Sequence, residues 1–326
     1  MTTIATCPSL AVITINYRSA EDTIECMESL LAGRVCPRIV VVDNDSRDGS
    51  VEEMIAWAEA SERLAGNFEV RDGETEPAPL TRLLTIVASR HNGGFSSGNN
   101  IGLRLARITA DVETFWLLNN DTVVDPEASL SIADYFASNP QIGIAGTQLR
   151  LYGDRDRYQL LNGMEFSPLT GAAKGVFAGR GVEEAFDPDE ILAKSDFVCG
   201  ASLIMSRDFL ESVGLLEERF FLYYEELDLA YRGRAFRDGF VSDAIVYHKV
   251  GATAGSSNSM TREARSPLSE YHHVRSKMIF ARKHLPLCVP IYFAQNIVIW
   301  IRRLMRGHSR QAKAVMAAIL GRKFPG

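Results

Sequence analysis

The sequence is poor in cysteine and has none of the cysteine spacings that form metal or disulfide sites. Five cysteines, an odd number, are scattered over 326 residues without a C-x-x-C pair. This pattern argues against a zinc site and against a disulfide framework, and it is typical of a reducing compartment. The segment from Met1 also lacks the basic start and the apolar core of a signal peptide. We therefore expect a cytoplasmic protein.

Two common phosphate-binding motifs are also missing. No G-x-G-x-x-G follows the first predicted strand, which disfavours a standard dinucleotide-binding fold. No glycine-rich loop is followed by the lysine of a P-loop, and internal repeats are absent. The commonest loops for nucleotide phosphates are thus excluded.

Acidic residues are missing from the C-terminal part of the chain. Between Tyr271 and the end of the sequence there are 11 Lys and Arg residues and no Asp or Glu. All 41 acidic residues therefore precede this segment, although the net charge of the whole chain is only -6. An acidic body with a basic tail predicts that the tail meets an anionic partner.

The same tail contains a long apolar stretch, Leu285 to Ile301, which two prolines and two amides interrupt. It is too short and too broken for a membrane span of about 20 residues. We predict a C-terminal helical extension over residues 266–326, with a helix over Ser266–Lys283 and an amphipathic helix on an anionic membrane surface. The protein would then lie at the inner face of the cell membrane, and truncation after Ser266 would abolish co-sedimentation with anionic vesicles. The alternative is a helical pair that packs on the body of the protein or on a second subunit of a homo-oligomer.

Residues 1–265 alternate between predicted strands and helices. Runs rich in β-branched residues predict strands at Leu10–Ile15, Arg38–Val42, Leu83–Ala88 and Thr114–Leu118. Apolar residues at helical spacing stand between these strands, and capping residues or proline mark several helix starts. This order predicts an α/β fold with a Rossmann-like, mostly parallel sheet that helices cover on both faces.

Polar clusters follow four of the predicted strands. Asn16 and Tyr17 follow the first strand, Asp43 the second, Asn92 the third and Asp121 the fourth. In parallel α/β sheets, ligands lie beyond the carboxyl ends of the strands. Four clusters on one rim therefore mark a binding site more strongly than any one of them.

Asp121, in Asn119-Asn120-Asp121, is the best candidate for a metal ligand. Mg²⁺ and Mn²⁺ prefer oxygen ligands, and few come from the protein when phosphates supply the rest. His248, after the last predicted strand, could add a nitrogen ligand, although a single histidine is often structural. Asp43 could accept a hydrogen bond from a uracil or thymine ring, or it could cap a turn. The residues alone leave these alternatives open.

A glycine-rich loop over residues 92–100 runs into a predicted helix. It contains Asn92, Gly94, Phe95 and Asn99. Glycine lets a backbone approach a ligand closely, and a helix N-terminus favours phosphate. The loop could therefore contact a nucleotide, or it could simply lead into the helix.

Three acidic residues open a helix that is predicted to run from Glu225 to Asp238. On a helix, Glu225 and Asp228 share a face, whereas Glu226 points about 100° away. Asp228 also stands four residues before Arg232, which predicts an ion pair. One glutamate would then face the site as a general base that deprotonates a hydroxyl. Geometry does not choose between the two glutamates.

Taken together, these stretches resemble the family 2 glycosyltransferases of GT-A fold, in particular bacterial rhamnosyltransferase-like members that build surface polysaccharides. The resemblance covers about Leu10 to Gly251 and keeps the order of the family's motifs. The matching stretches are Val12–Tyr17, Val41–Ser46, Asn92–Phe95, Gly98–Gly102, Leu117–Asp121, Phe221–Leu229 and Tyr247–His248.

The resemblance implies a role for each candidate residue. Asp43 would contact the pyrimidine base, and Asp121 would be the metal-binding end of the family's D-x-D motif, whose first two positions are Asn here. Glu226 would be the base, with Glu in place of the usual Asp and Glu225 beside it. His248 would match a metal-ligating histidine of several members. The nucleotide site would also include Asn16, Tyr17, Asn92, Gly94, Phe95, Asn99 and Asn120.

The resemblance further implies inverting transfer of a sugar from a nucleoside diphosphate to a glycan or a lipid-linked acceptor, with Mn²⁺ or Mg²⁺ as cofactor. L-rhamnose from dTDP-L-rhamnose is the first expectation, and a UDP-hexose is the alternative. The nucleotide-sugar part would cover about residues 1–125 and the acceptor part about residues 126–265. No nucleic acid is expected as a partner.

Two other classes of protein stay open. A sugar nucleotidyltransferase shares the broad fold and the use of metal. It would be expected to carry a glycine-rich, basic loop where Asn16-Tyr17-Arg18-Ser19 stands. A non-catalytic protein that binds sugar nucleotides or glycans would hold donor without turnover, and Glu226→Ala would leave it unchanged.

Overall fold

A computed structural model of the protein describes residues 5–249 and 265–324. Gly251, the last residue of the family-like stretch, lies outside the described residues. The predicted domain boundary after residue 265 directly follows segment 250–264, which also lies outside them. That boundary stays a prediction.

Thirteen strands and ten α-helices make up the described part of the chain. The strands are β1 (Thr6–Asn16), β2 (Cys36–Asp43), β3 (Phe68–Asp72), β4 (Leu84–Ala88), β5 (Thr114–Leu118), β6 (Thr122–Val124), β7 (Ile142–Leu151), β8 (Asp154–Leu161), β9 (Gly163–Ser167), β10 (Ala172–Gly175), β11 (Phe197–Val198), β12 (Ser202–Ser206) and β13 (Arg237–His248). The helices are α1 (Ala20–Leu31), α2 (Ser50–Ala60), α3 (Gly94–Arg107), α4 (Ala128–Ser138), α5 (Pro188–Lys194), α6 (Arg207–Val213), α7 (Glu225–Gly233), α8 (Pro267–His284), α9 (Val289–Met305) and α10 (Ser309–Ile319).

Ten of these strands form one sheet. Nine of them follow the order β3-β4-β2-β1-β5-β12-β7-β13-β6, and β8 pairs with β7. The half from β3 to β5 is parallel throughout. In the other half β7 and β13 are parallel to each other, while β12, β6 and β8 pair antiparallel with their neighbours. The predicted α/β sheet is confirmed, and its antiparallel pairs are confined to the second half.

The central strands are buried on both faces, which explains their continuous apolar sequences. Side chains alternate along a strand, so Val12 of β1 faces one hydrophobic core and Ile13 faces the other. Val41 and Val40 of β2 divide in the same way, and all four side chains are fully buried. Helices α1, α2 and α4 cover the first face, and α3 and α6 cover the second. Polar groups that must reach a ligand are left to the strand ends.

The helix that was expected to continue to residue 238 is shorter. It ends at Gly233, because β13 already begins at Arg237. A Cβ at Gly233 would lie only 2.3 Å from the ring of Phe209. Close packing of α7 on α6 therefore sets the position of this helix end.

Other boundaries differ by a few residues, and four elements have no counterpart in the sequence prediction. Helix α3 begins at Gly94, inside the stretch 92–100 that was predicted as a glycine-rich loop. The unpredicted elements are β3, β6, α5 and α10. Elements β3, β6 and α5 are at most seven residues long, which leaves little apolar periodicity, and the buried face of α10 is mostly alanine.

The C-terminal extension is helical, as predicted, and its first helix packs on the body of the protein. The helix predicted over Ser266–Lys283 is α8, a 3₁₀ turn over Pro286–Cys288 follows, and α9 and α10 complete the extension. Phe280 of α8 packs edge-on against Phe166 of β9 and lies 5.5 Å from the ring of Tyr224. Within ranges 5–249 and 265–324, no helix combines the length and the apolar character that crossing a membrane requires.

Candidate active site

The ends of β1, β2 and β5 carry a connected set of polar side chains. The parallel register pairs Asn16 with Asp43, and Asn16 Nδ2 donates to Asp43 Oδ2 at 2.7 Å. Thr23 of α1 donates to Asn16 Oδ1 at 2.8 Å and accepts from Asn120 Nδ2 at 3.0 Å. All four side chains are buried. The three strand ends are therefore fixed relative to one another by their own hydrogen bonds.

Asp43 keeps acceptor capacity toward a ligand. Its Oδ1 accepts from the backbone N of Ser46 at 3.0 Å, and its Oδ2 accepts from Asn16. Each carboxylate oxygen can accept two hydrogen bonds, so each can still take one more donor. The turn at Ser46 matches the capping interpretation, and that role is compatible with contact to a base.

Tyr17 stands on the same rim and is half-buried. The guanidinium of Arg18 lies 5.2 Å from the centroid of the Tyr17 ring. Arg18 has φ +56°, and its backbone N donates to Ser46 Oγ at 2.9 Å. The aromatic side chain is therefore held next to the turn that contains Asp43.

The glycine-rich loop packs against the segment that precedes α7. The backbone N of Phe95 donates to the Phe221 carbonyl at 2.7 Å. Gly94 has φ +81°, and a Cβ there would lie 2.2 Å from the same carbonyl oxygen, so only glycine fits. Asn92 Oδ1 accepts from the N of Gly94 at 3.0 Å and from Asn44 Nδ2 at 3.1 Å. The close backbone approach expected of the glycine is made to the protein itself.

Asn99 lies inside α3 rather than in a loop. Its side chain is buried, and its Nδ2 donates to the Phe95 carbonyl one turn earlier at 3.0 Å. The neighbouring Asn100 donates to the carbonyl of Leu216 and accepts from its N, at 2.9 and 3.0 Å. Contact of Asn99 with a nucleotide stays a prediction.

Asp121 and His248 meet although 127 residues separate them. Strand β13 pairs with β6 so that His248 stands opposite Thr122. His248 Nε2 lies 3.1 Å from Asp121 Oδ1, and Gln159 Oε1 of β8 lies 2.8 Å from Nδ1. Asp121 and His248 are both buried. The imidazole is thus held between a carboxylate and an amide.

The donor atoms of this pair fit a divalent cation. Two ligands at right angles around an octahedral ion with bonds of about 2.1 Å lie ~3.0 Å apart, close to the observed 3.1 Å. If Nδ1 carries the ring proton and donates it to Gln159, Nε2 keeps the lone pair that binds metals. Over the described residues, no three His, Cys, Asp or Glu side chains form a metal-binding group. Most ligands would therefore come from a substrate and from water.

Lys249 fixes the chain after His248 onto α1. Its Nζ lies 2.5 Å from Asp22 Oδ1 and 2.5 Å from Glu25 Oε2, and its backbone N donates to the Asp121 carbonyl at 2.9 Å. Burial lowers the pKa of Lys249, but the two carboxylates outweigh it and raise that pKa above its ordinary value. This ion pair holds β13 and its histidine close to Asp121.

Two adjacent glutamates begin α7. Glu225 is 5% exposed, whereas Glu226 is only partly buried. A Cβ at Gly200 would lie 3.6 Å from Glu226 Oε1 and 4.0 Å from the ring of Phe95. Within the described chain, Oε2 of each glutamate has no hydrogen-bond partner. Burial, and then the charge of Glu226, raises the pKa of Glu225 well above its ordinary value, and burial raises the pKa of Glu226 to about 6.

The sequence profile described as "Glycosyl transferase family 2" matches residues 11–214, more than half of the chain. The chain belongs to this family. The matched range contains the ends of β1, β2 and β5, and it ends before Glu225, Glu226 and His248.

Two curated proteins with similar sequences are named for sugar transfer. The low-salt glycan biosynthesis hexosyltransferase Agl10 of Haloferax volcanii is 25% identical over 226 residues, which is 69% of this family 2 chain and 61% of Agl10. The dTDP-rhamnosyl transferase RfbF of Shigella flexneri is 23% identical over 229 residues, which is 69% of this chain and 71% of RfbF. This chain thus spans less than two thirds of the length of Agl10.

Solved structures of other transferases share the fold. The mannosyltransferase PcManGT of Pyrobaculum calidifontis, solved with GDP-Man and Mn²⁺, has a TM-score of 0.52 at 14% identity, with 96% of this chain and 86% of that chain covered. Residues 1–349 of S. aureus TarS, solved with UDP-GlcNAc, have a TM-score of 0.50 at 14% identity, with 95% and 81% covered. At these identities the likeness shows the fold alone, which is the GT-A fold.

Asp228 anchors the helix that carries the two glutamates of this family 2 protein. Arg232 Nε donates to Asp228 Oδ2 at 2.8 Å, which confirms the ion pair predicted from the spacing. Lys283 Nζ and His284 Nε2, at the end of α8, each lie 2.7 Å from Asp228 Oδ1. Asp228 is fully buried. The C-terminal extension is therefore bonded directly to α7, beside Glu226.

The backbone before α7 is held in an unusual conformation. Tyr223 and Tyr224 have φ values of +68° and +73°, which non-glycine residues keep only where their surroundings hold them. Helix α8 supplies such contacts: Tyr223 OH and Ser269 Oγ lie 2.7 Å apart, and Ser276 Oγ donates to the Leu222 carbonyl at 2.9 Å. These contacts fix the start of α7.

Sequence reasoning missed several residues that shape the site. Thr23 links three strand ends, Gln159 orients His248, and His284 bonds to Asp228. No motif marks them, because each depends on a tertiary contact or on the register of a hairpin. Lys249 directly follows a candidate metal ligand, and this adjacency is the one available signal.

We predict that Asp228→Asn destabilises the protein by about 3 kcal/mol at pH 7, because it removes a fully buried carboxylate that the side chains of Arg232, Lys283 and His284 all contact. Burial raises the pKa of Asp228, but bonds from Lys283, His284 and Arg232 outweigh it and lower that pKa. The stabilisation is therefore present above the unfolded pKa of about 3.9 and is lost as the pH falls through the lower folded pKa.

Urea unfolding between pH 7 and about pH 2 measures the effect, because the loss begins near the unfolded pKa and is complete only below the folded pKa. The exposed Asp243→Asn is the matched control and should change stability little at any of these pH values. The account of the anchor is wrong if both variants lose the same free energy at pH 7.

Proposed function

We propose that the protein is a metal-dependent, inverting glycosyltransferase that takes a sugar from a nucleoside diphosphate. The observation that carries the proposal is the Asp121–His248 pair, which lies next to Asn120 and thus next to the bonded set of Asn16 and Asp43. A pair of side chains that can hold a cation therefore adjoins side chains that can hold a nucleotide base. This is the arrangement that a nucleotide sugar needs.

The strand ends bind the nucleotide in this proposal. Asp43 accepts the N–H of the pyrimidine ring through its remaining lone pairs, and Asn16 and Ser46 keep its carboxylate in place. Tyr17 closes the rim beside it. Residues 1–125 would form the nucleotide part and residues 126–265 the acceptor part, before the extension from residue 266.

Asp121 and His248 hold Mn²⁺ or Mg²⁺, and Gln159 keeps the ring of His248 in its metal-binding orientation. A bound cation supplies charge neutralisation for the diphosphate that leaves. PcManGT, solved with Mn²⁺, supports a divalent metal in this fold.

Glu226 is the base that takes the proton of the acceptor hydroxyl. It is the more exposed of the two glutamates, and it faces Gly200, whose neighbour Ala201 bonds through its carbonyl to the N of Asn119 at 3.0 Å. Burial raises its pKa only to about 6, so it is ionised at neutral pH, whereas burial and the charge of Glu226 raise the pKa of Glu225 well above its ordinary value. The hydroxyl oxygen, as its proton passes to Glu226, attacks the anomeric carbon opposite the leaving diphosphate, which inverts that carbon.

The leading donor is dTDP-L-rhamnose, and the acceptor is a glycan or a lipid-linked sugar of the cell surface. RfbF, named as a dTDP-rhamnosyl transferase, supports this donor, whereas Agl10, named as a hexosyltransferase, supports the alternative of a UDP-hexose.

Calorimetric titration with dTDP, UDP and GDP, with and without Mn²⁺, tests the donor site. We expect Mn²⁺ to tighten binding of dTDP at least tenfold, and Asp121→Asn to remove this gain because it weakens the cation site. Asp125→Asn is the control, since its side chain only bonds to the backbone N of Glu127. Preference for UDP would keep the class and change the sugar, whereas binding of no nucleotide, or release of pyrophosphate from dTTP, would sink the proposal.

The pH dependence of turnover tests the base. Because Glu226 must be ionised, kcat/KM should rise with pH up to about pH 6 and then level off. Glu226→Gln should lower kcat by about 10³-fold. Glu225→Gln is the matched control and should cost less than about tenfold in kcat, because Glu225 is buried and takes no proton from the acceptor in this assignment. Equal losses in the two variants, or unchanged turnover in Glu226→Gln, would contradict the assignment and favour a non-catalytic protein or another base.

We also propose that α9 lies on an anionic membrane. An apolar strip is exposed along this helix and the turn before it, with exposed fractions from 39% to 92%; its residues are Leu287, Ile291, Phe293, Val298, Ile301, Leu304 and Met305. Arg302 and Arg306 flank the strip, and no acidic residue follows Glu270 in the sequence. Apolar area with basic margins is the chemistry of peripheral binding to anionic lipid. A second subunit is the alternative occupant.

A point substitution tests the membrane surface better than truncation, since α8 also holds α7. Val298→Glu should weaken sedimentation with vesicles of anionic lipid several-fold, because it places a negative charge on the strip. Val70→Glu is the matched control, since both valines are 44% exposed. If Val298→Glu instead converts a dimer to a monomer and leaves sedimentation intact, the strip is a subunit interface.

A further inference from the structure

Lys277 of α8 is a buried cation with no acidic partner among the described residues. It is 5% exposed, its Nζ donates to Gln295 Oε1 of α9, and the same atom lies 4.6 Å from the centroid of the Tyr292 ring. Both neighbours are uncharged. Buried lysines are rare unless an anion pairs with them. The surroundings of Lys277 therefore favour an anion that comes from outside the chain.

Two more basic side chains lie close to Lys277. His273 stands one turn earlier on α8, and its ring lies 5.7 Å from that of Tyr223 and 5.9 Å from that of Tyr224. The guanidinium of Arg265 lies 5.5 Å from the centroid of Tyr223. Burial, and then the charges of Arg265 and Lys277, lowers the pKa of His273 well below its ordinary value. The three groups thus form one cluster of hydrogen-bond donors.

This cluster borders the residues that lead into Glu226. The hydroxyl of Tyr224, two residues before Glu226, lies 3.5 Å from the Gly171 carbonyl, and a Cβ at Gly171 would lie 2.9 Å from Lys277 Cε. Burial is the main cause that raises the pKa of Tyr224, and the charges of Arg265 and Glu226 also act on it. Arg265, His273 and Lys277, together with Tyr224 and Tyr292, are named here the basic cluster. This cluster therefore adjoins the segment that leads into the proposed base.

We propose that the basic cluster binds a phosphate or diphosphate group of the acceptor substrate. The inference rests on the proposed function, because it concerns the acceptor whose hydroxyl Glu226 would deprotonate. A phosphoryl group carries nearly two negative charges and accepts several hydrogen bonds. Lysine and arginine offer only donors, and a neutral histidine can donate one more hydrogen bond.

Helix α9 carries residues of the basic cluster on one face and the exposed apolar strip on another. Tyr292 and Gln295 contact Lys277, while Ile291 and Val298 of the same helix are exposed. A lipid-linked diphosphate would contact both faces of α9, whereas a soluble sugar phosphate would contact the basic cluster alone. Both kinds of acceptor would present a phosphoryl anion to the protein.

Calorimetry on the full-length protein in EDTA tests whether the basic cluster binds a phosphoryl anion. The probes are inorganic pyrophosphate, a short-chain isoprenyl diphosphate and a hexose 1-phosphate. Lys277→Met removes the charge and keeps the volume, and it should weaken binding of the probes at least about tenfold. His273→Gln serves as a second variant if Lys277→Met fails to fold. The exposed Lys313→Met on α10 is the control for net charge and should bind as the wild type does.

The proposal would be overturned if Lys277→Met and His273→Gln bind the probes as tightly as the wild type does, or if the wild type binds none of them. Tighter binding of the isoprenyl diphosphate than of pyrophosphate supports it with a lipid-linked acceptor. Equal binding of the sugar phosphate supports it with a soluble acceptor. Binding of dTDP with Mn²⁺ is measured on the same variants and should stay within twofold of the wild type. If the wild type does not bind dTDP with Mn²⁺, the proposed function is refuted, whatever the result for the basic cluster.

Discussion

Strand register is the constraint on which the rest of the site depends. The parallel pairing of β1 with β2 sets Asn16 beside Asp43, and the antiparallel pairing of β13 with β6 sets His248 opposite Thr122, next to Asp121. A slip of one residue would turn His248 to the other face of the sheet. The register of β13 is specified because Ala244 and Val246 are buried in the core, whereas Ile245 and Tyr247 are only partly buried. Core packing thereby determines the spacing between Asp43 and the Asp121–His248 pair.

Helix α7 combines carboxylates in two opposite electrostatic conditions. Asp228 is fully paired with cations from its own helix and from α8, so it stabilises the fold. Glu225 is buried and Glu226 is partly buried, neither has such a partner among the described residues, and burial raises the pKa of each. The stable anchor and the proposed reactive group are thus only two residues apart. The C-terminal extension contributes to the first and limits the movement of the second.

Much of the parallel half of the sheet could be predicted from the sequence, because strands buried on both faces read as continuous apolar runs. The ion pair between Asp228 and Arg232 followed from helical spacing and is confirmed. The contact between His248 and Gln159 could not be predicted, since it requires the register of the β7–β8 hairpin. The glycine loop shows a further limit: sequence indicates that Gly94 allows a close approach, but only the fold shows that the approaching group is the Phe221 carbonyl. The roles of Asp43, Asp121 and Glu226 stay predictions.

The central claim is that Asp121 and His248 share one divalent cation against the donor diphosphate. A crystal structure with dTDP and Mn²⁺, with data collected at the manganese absorption edge, tests it most directly. The account predicts one anomalous peak within about 2.3 Å of both Asp121 Oδ1 and His248 Nε2, with diphosphate oxygens on its other side. A peak elsewhere, or an intact Asp121–His248 contact with nucleotide bound and no manganese beside it, would contradict the account.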